Sequence, residues 1–182
     1  MRWLAVLVVA GPVMAEPLVD LPALFKQHAD KVVVKDNGTT VFHELSLGDG
    51  VVTRCKGDGF EDCVSVDANS KGGTTDCALV GAMRTLLMTR SCGIGSASQR
   101  FMLEKVIGEL GEHVARNAVP PRDWMDLRVV VLDRAEVEPL PTCAQIDDVG
   151  RDFFARRLRL EELQALHALT GKPRLPAGKC LD

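Results

Sequence analysis

Cys55, Cys63, Cys77, Cys92, Cys143 and Cys180 are the residues through which this chain could most readily do covalent chemistry. Thiols poised for redox work usually come as Cys-x-x-Cys, a spacing that lowers one thiol pKa and sets a resolving partner beside it. No such pair occurs. Cys92 lies just before a helix start, where the dipole favours a thiolate, yet in an even set of six a structural bridge is the simpler reading. Such a set suits an oxidising compartment and allows up to three disulfides in fifteen pairings.

The four histidines offer acid–base or metal chemistry, and none is placed to perform it alone. His28 falls near a short helix end and His167 in an amphipathic terminal helix. His43 shares one side of a strand with Val41 and Leu45, as a half-buried sheet histidine does. Glu109 and His113 stand at i, i+4 and could share a helix face, but two ligands do not make a zinc site. Neither a Gly-x-Ser-x-Gly elbow nor a His-Glu-x-x-His helix is present. A hydrolase-like site would have to assemble from distant residues, with His43 and His113 the first candidates.

Other patterns have plain explanations. Gly93-Ile94-Gly95-Ser96 ahead of a helix resembles half of an anion-binding loop, but phosphate loops follow a strand and this turn follows a helix. Asp58, Glu61, Asp62, Asp67 and Asn69 form an acidic region without the ligand spacing of a calcium loop. Arg151, Arg156, Arg157 and Arg159 follow Asp147, Asp148 and Asp152, an order that suits a helix dipole and could also dock an acidic partner. Asn37-Gly38-Thr39 matches a glycosylation acceptor, though hairpin-turn chemistry accounts for it. These residues call for no cofactor and no metal.

The elements that would position these groups are legible in the periodicity. Leu79, Met83, Leu86 and Leu87 line one face of a helix capped by Thr75 or Asp76 and stopped near Ser91 or Cys92 by Gly93. Ser96 and Gln99 are spaced as a capping box. They open a second helix with a stripe of Leu103, Val106, Ile107, Leu110 and Val114, ended by Pro120-Pro121. Cys77 and Cys92 therefore sit at opposite ends of one helix, about 22 Å apart. Disulfide partners need Cα atoms within about 7 Å, so these two cannot pair.

Before this hairpin, Asp20 and Pro22 mark a short helix start. Four strands follow, over residues 31–35, 39–45, 51–55 and 62–67, separated by turns at Asn37-Gly38, Gly48-Asp49-Gly50 and Lys56 to Gly59. They predict an antiparallel meander with a type I′ turn at Asn37-Gly38. Cys55 and Cys63 on neighbouring strands are then the expected first bridge. The other four pair as Cys77–Cys143 with Cys92–Cys180, or as Cys77–Cys180 with Cys92–Cys143. After Pro121 the reading is a strand over Leu127–Asp133 and a helix over Cys143–Leu158. Thr142 caps that helix, and Ile146, Val149, Phe153 and Phe154 face inward. A further helix spans Leu160–Leu169.

Met1-Arg2, the apolar Trp3–Val9 and Val13-Met14-Ala15 form a signal-peptide pattern over residues 1–15, too short for a spanning helix of about 20 residues. Export to a periplasm or the exterior is expected, with 16–182 as one domain: the meander at about 31–67, the helical hairpin at about 76–117 and the C-terminal region at about 127–182. The formal charge of −3 disfavours nucleic acid, which usually meets a basic patch. These features predict a disulfide-stapled α+β fold and a non-catalytic exported protein. It would bind an exported or envelope component as an inhibitor, accessory or assembly factor. A hydrolase-like enzyme and a thiol- or metal-handling protein are the alternatives.

Overall fold

A computed structural model describes residues 19–57, 59, 61–67, 74–136 and 140–176. The predicted signal segment and Cys180 lie outside them. The fold is α+β, with a four-stranded antiparallel sheet followed by a helical body. Helix α1 (Leu21–Gln27) starts where Asp20 accepts from the Ala23 amide at 3.0 Å, with Pro22 in the first turn. A 3-10 turn (Ala29–Lys31) leads into β1 (Val33–Asp36), β2 (Val41–Ser46), β3 (Val51–Lys56) and β4 (Glu61–Asp67), in the order β1-β2-β3-β4.

Strand alternation sorts the sheet faces. Leu45, Val51, Thr53, Cys55 and Ser65 are buried, and Leu45, Val51 and Cys55 join the same core as the helices. Thr53 and Ser65 sit opposite one another and bond through their hydroxyls at 2.9 Å, which satisfies both polar groups inside. On the other face, Glu44 accepts from Lys35 and Arg54, each at 2.7 Å, while Val64 and Val66 are exposed. Cys55 is bonded to Cys63 across β3 and β4. The β1–β2 connection differs from the expected two-residue turn: β1 and β2 pair through Asp36 and Val41, leaving a four-residue loop. Gly38 alone takes a positive φ there, and the Asn37 carboxamide accepts from the Thr39 and Thr40 amides. A side chain folded back onto its own backbone substitutes for the I′ geometry.

The hairpin consists of α2 (Thr75–Ser91) and α3 (Ala97–Asn117). Thr74 is the N-cap of α2, so Thr75 and Asp76 occupy its first turn instead of capping it. Gly93 closes α2 at φ +63°, and the Ser96–Gln99 capping box opens α3 in both directions. Leu79, Ala82, Met83 and Leu86 meet the α3 stripe of Leu103, Val106, Ile107, Leu110 and Val114 in one core.

The expected strand at Leu127–Asp133 is instead the middle of a helix, α4 (Trp124–Glu136). Its valines favour β structure, but only Leu127, Val131 and Ala135 are buried, an i, i+4, i+8 stripe that packs onto α2 and α3. Val129 is left exposed. Burying a helical stripe outweighs a propensity difference of at most about 1 kcal/mol per residue. Trp124 stacks so closely on α3 that a Cβ at Gly111 would lie 2.6 Å from its ring.

The expected helix over Cys143–Leu158 is shorter. Residues 143–145 form a turn closed by Gln145 accepting from Thr142, and α5 (Asp148–Arg157) starts with Asp147 accepting from Gly150 at 2.8 Å. Ile146 and Leu158 are buried, but Val149 and Phe153 are exposed, which corrects the inward face expected for them. A ten-residue helix held at its ends by Ile146 and Leu158 has no need of a full apolar stripe. Helix α6 (Leu160–Ala168) follows, then a 3-10 turn (Leu169–Gly171) and an extended strap, 172–176. No helix among the described residues is long and apolar enough to cross a membrane.

Candidate functional site

The strap and three earlier segments enclose a cleft of about 860 Å³. Helix α1 supplies Leu24, Gln27 and His28 where it ends, with the His28 amide closing onto Leu24 O. The β2–β3 turn supplies Leu47, Gly48 and Asp49, with Gly48 at φ +80°. The end of α3 contributes Asn117 and, just beyond it, Val119; the latter bridges to Val19, so the start of α1 and the end of α3 form one wall. Ala168 and the residues from Gly171 to Leu175 complete the enclosure.

Asp49 holds these pieces together. One carboxylate oxygen accepts from the Val51 amide at 3.0 Å within the turn, and the other accepts from the Leu175 amide at 2.8 Å. The second bond spans 126 residues and ties the strap to the sheet. Beside the Asp49 carboxylate the lining carries two basic side chains, Lys172 and Arg174, and the imidazole of His28. Apolar surface comes from Leu24, Leu47, Val119, Ala168, Pro173 and Leu175. No serine, threonine or cysteine stands among these lining residues. A concave, largely apolar site of roughly 300–1,000 Å³ with a few polar groups is the usual form of a small-ligand pocket.

Two buried titratable groups lie elsewhere. His113 is 3 % exposed on α3, and its Nε2 has no hydrogen-bond partner among the described residues. Burial first, then the nearby Arg116 and Arg174 charges, hold its pKa below the ordinary histidine value, which favours the neutral imidazole. Asp76 is 2 % exposed at the start of α2. Burial raises its pKa, while the Thr74 hydroxyl that donates to it and the Arg134 guanidinium 3.8 Å away pull the value back. Arg134 is on α4, so this pair clamps α2 to α4.

The expected sites fall in separate places. Glu109 and His113 do not share an exposed face: His113 is buried, and Glu109 accepts from or pairs with His167 Nδ1 of α6 at 2.9 Å. His43 lies 3.1 Å, through Nδ1, from the Gly57 carbonyl. Among the described residues no three His, Cys, Asp or Glu side chains converge on a metal position. Asp62 pairs with Lys56 at 3.4 Å, while Asp58 and Asn69 of the acidic region lie outside the described residues. The glycine turn at 93–95 is no anion cradle: the capping box occupies the Ser96 and Gln99 amides, and Arg100 donates to the Ile94 and Gly95 carbonyls. Within the basic run, Arg156 pairs with Asp152, Arg157 covers the Phe153 ring and Arg159 approaches Glu161.

Cys92 is bonded to Cys143. Cys77 is disulfide-bonded as well, and its expected partner in this arrangement, Cys180, lies outside the described residues. No described cysteine is free. Asp49, Lys172 and Arg174 were not among the sequence candidates. Asp49 reads as ordinary turn chemistry in Gly-Asp-Gly, and the only signal for the strap is its alternation of Lys172, Arg174 and apolar Leu175. Compared with known protein families, curated proteins and solved structures, the chain shows no match.

Proposed function

We propose that this is an exported, non-catalytic binding protein, an inhibitor, accessory or assembly factor that engages an exported or envelope component through the cleft between α1, the β2–β3 turn and the strap. Residues 1–15 would be removed as a signal peptide, and the protein would act in a periplasm or outside the cell. The observation that carries this reading is the composition of the cleft: apolar walls, two cations, and a carboxylate whose oxygens both accept from backbone amides. The lining holds no hydroxyl or thiol side chain, the groups that most often serve as protein nucleophiles in acyl transfer. Disulfides at Cys55–Cys63 and Cys92–Cys143 fit an oxidising destination.

The test places a photo-reactive benzoylphenylalanine at Gln27, an exposed lining position, and irradiates cells in which the protein is exported. One dominant adduct, suppressed by the cleft-filling change Ala168→Trp, is the expected result. Robust turnover by the purified protein that disappears in His28→Gln would overturn the non-catalytic reading.

A further inference from the structure

We propose that Asn37-Gly38 is a self-modification site, where the fold turns the Asn37 side chain into a succinimide and then into aspartate and isoaspartate. The site lies in the exposed loop between β1 and β2 and does not depend on what the cleft binds. Ring closure at an asparagine needs a backbone nitrogen that can give up its proton, a carbonyl oxygen held as negative charge develops on it, and an unhindered following residue. The loop supplies all three. Asp36 Oδ1 accepts from the Gly38 amide at 2.7 Å, within reach for a general base. Asn37 Oδ1 accepts from the Thr39 amide at 3.1 Å, the Thr39 hydroxyl at 3.0 Å and the Thr40 amide at 2.9 Å. Two of these donors are backbone amides, which fixes which terminal atom of Asn37 is the oxygen. Gly38 has no side chain to block its own nitrogen, and the place a Cβ would take has nothing within 4 Å.

Water is the only co-reactant. Gly38 N bonds to Asn37 Cγ while its proton passes to the Asp36 carboxylate, and the charge that forms on Oδ1 faces three donors already in place. The intermediate then expels Nδ2, which takes the proton back from Asp36 and leaves as ammonia. Among the described residues Nδ2 has no hydrogen-bond partner to hold it. Water opens the five-membered imide at either carbonyl. Attack at Cγ gives aspartate; attack at the backbone carbonyl gives isoaspartate, with the main chain routed through Cβ. Either product sets a second carboxylate beside Asp36, and isoaspartate lengthens the chain where the Asp36–Val41 pair ends the β1–β2 ladder. All four residues of β1 are exposed and its sheet neighbour is β2, so the modified protein carries a loosened edge strand.

The test incubates the purified protein at neutral pH with its disulfides intact, beside the same chain reduced and unfolded in guanidinium. Samples are digested in acid, and fragment-ion mass spectrometry counts aspartate and isoaspartate at position 37. The folded protein should convert about tenfold faster than the unfolded chain. Asp36→Asn keeps an acceptor for the Gly38 amide but removes the base, and should slow the folded rate by about tenfold or more. Thr39→Val removes one donor to Oδ1 and should slow it by about two- to tenfold, the worth of one hydrogen bond. In the wild type, the folded rate should also climb less steeply with pH than the unfolded rate, because Asp36 replaces hydroxide as the base. A folded rate below the unfolded one would show that the turn shields Asn37 and would overturn the proposal. Conversion indifferent to Asp36→Asn, or with the same pH slope folded and unfolded, would overturn it equally.

Discussion

Removing the Asp49 carboxylate should release the strap without unfolding the protein. In the native fold its two oxygens accept from Val51 N at 3.0 Å and Leu175 N at 2.8 Å, one bond local and one spanning the chain. Hydrogen bonds to a charged group contribute about 1.5–3 kcal/mol each. The Val51 bond lies within the tight β2–β3 turn, so its loss loosens that turn locally. The Leu175 bond is part-buried and closes a short segment at the end of the described chain, so its loss is paid locally, as opening of 172–176. A local cost of about 1.5–3 kcal/mol corresponds to roughly 10- to 150-fold faster amide exchange at Leu175. Hydrogen–deuterium exchange of Asp49→Ala, followed by NMR, reads this directly, while the amides of the α3 core, Leu103 to Leu110, should keep their protection. Asp49→Asn retains one acceptor oxygen and should show an intermediate effect. Unchanged exchange at Leu175 in Asp49→Ala would refute the strap argument and, with it, the account of how the cleft is closed. Uniformly faster exchange across the core would show that Asp49 stabilises the whole fold and not the strap.

Two further predictions concern the helical body. Gly111→Ala places a Cβ 2.6 Å from the Trp124 ring and should destabilise by about 1–3 kcal/mol, partly offset by the gain in helix propensity of up to ~1 kcal/mol. Gly108→Ala on the same helix meets nothing within 4 Å and should stabilise by up to about 1 kcal/mol; urea midpoints of the two variants should move in opposite directions. Asp76 has a folded-state pKa raised above the ordinary 3.8, so the folded protein holds that proton more tightly than the unfolded chain does. The stability linked to this proton is fully present below 3.8 and is lost as pH rises through the folded value. The wild type should therefore gain on Asp76→Asn as pH falls from 7 toward 4, in urea titrations run in parallel. Glu44, whose pKa is lowered by Lys35 and Arg54, contributes with the opposite sign below 4.5 and cancels in the comparison. Parallel profiles would show that burial of Asp76 imposes no proton linkage.

Local interactions made part of this protein legible without its fold. The helical hairpin follows from an apolar stripe, a glycine that accepts positive φ and a Ser96–Gln99 box, each decided within about four residues. The meander follows from valine-rich runs separated by turn residues, and helical rise alone excludes a Cys77–Cys92 bridge. Where local preference and packing disagreed, packing prevailed. The valines of 129–131 favour a strand, but Leu127, Val131 and Ala135 bury more as a stripe against α2 and α3. The four-residue loop at Asn37-Gly38 is, by contrast, a local outcome, because the Asn37 side chain accepts from the Thr39 and Thr40 amides.

Which of the two remaining cysteine arrangements holds was open in the sequence, since both place a cysteine of α2 against the C-terminal region. Only the packed position of the 143–145 turn at the end of α2 brings Cys143 to Cys92, at a Cα separation of 5.2 Å. The cleft was beyond reach for the same reason. His28, Asp49, Asn117 and Lys172 are far apart along the chain, and no short-range rule relates them. The helical hairpin and the meander were determined by the sequence through interactions a few residues long. The burial of His113, the Asp76–Arg134 clamp and the Asp49–Leu175 closure were decided by the tertiary structure, because dielectric environment and long-range hydrogen bonding exist only once distant segments have packed together.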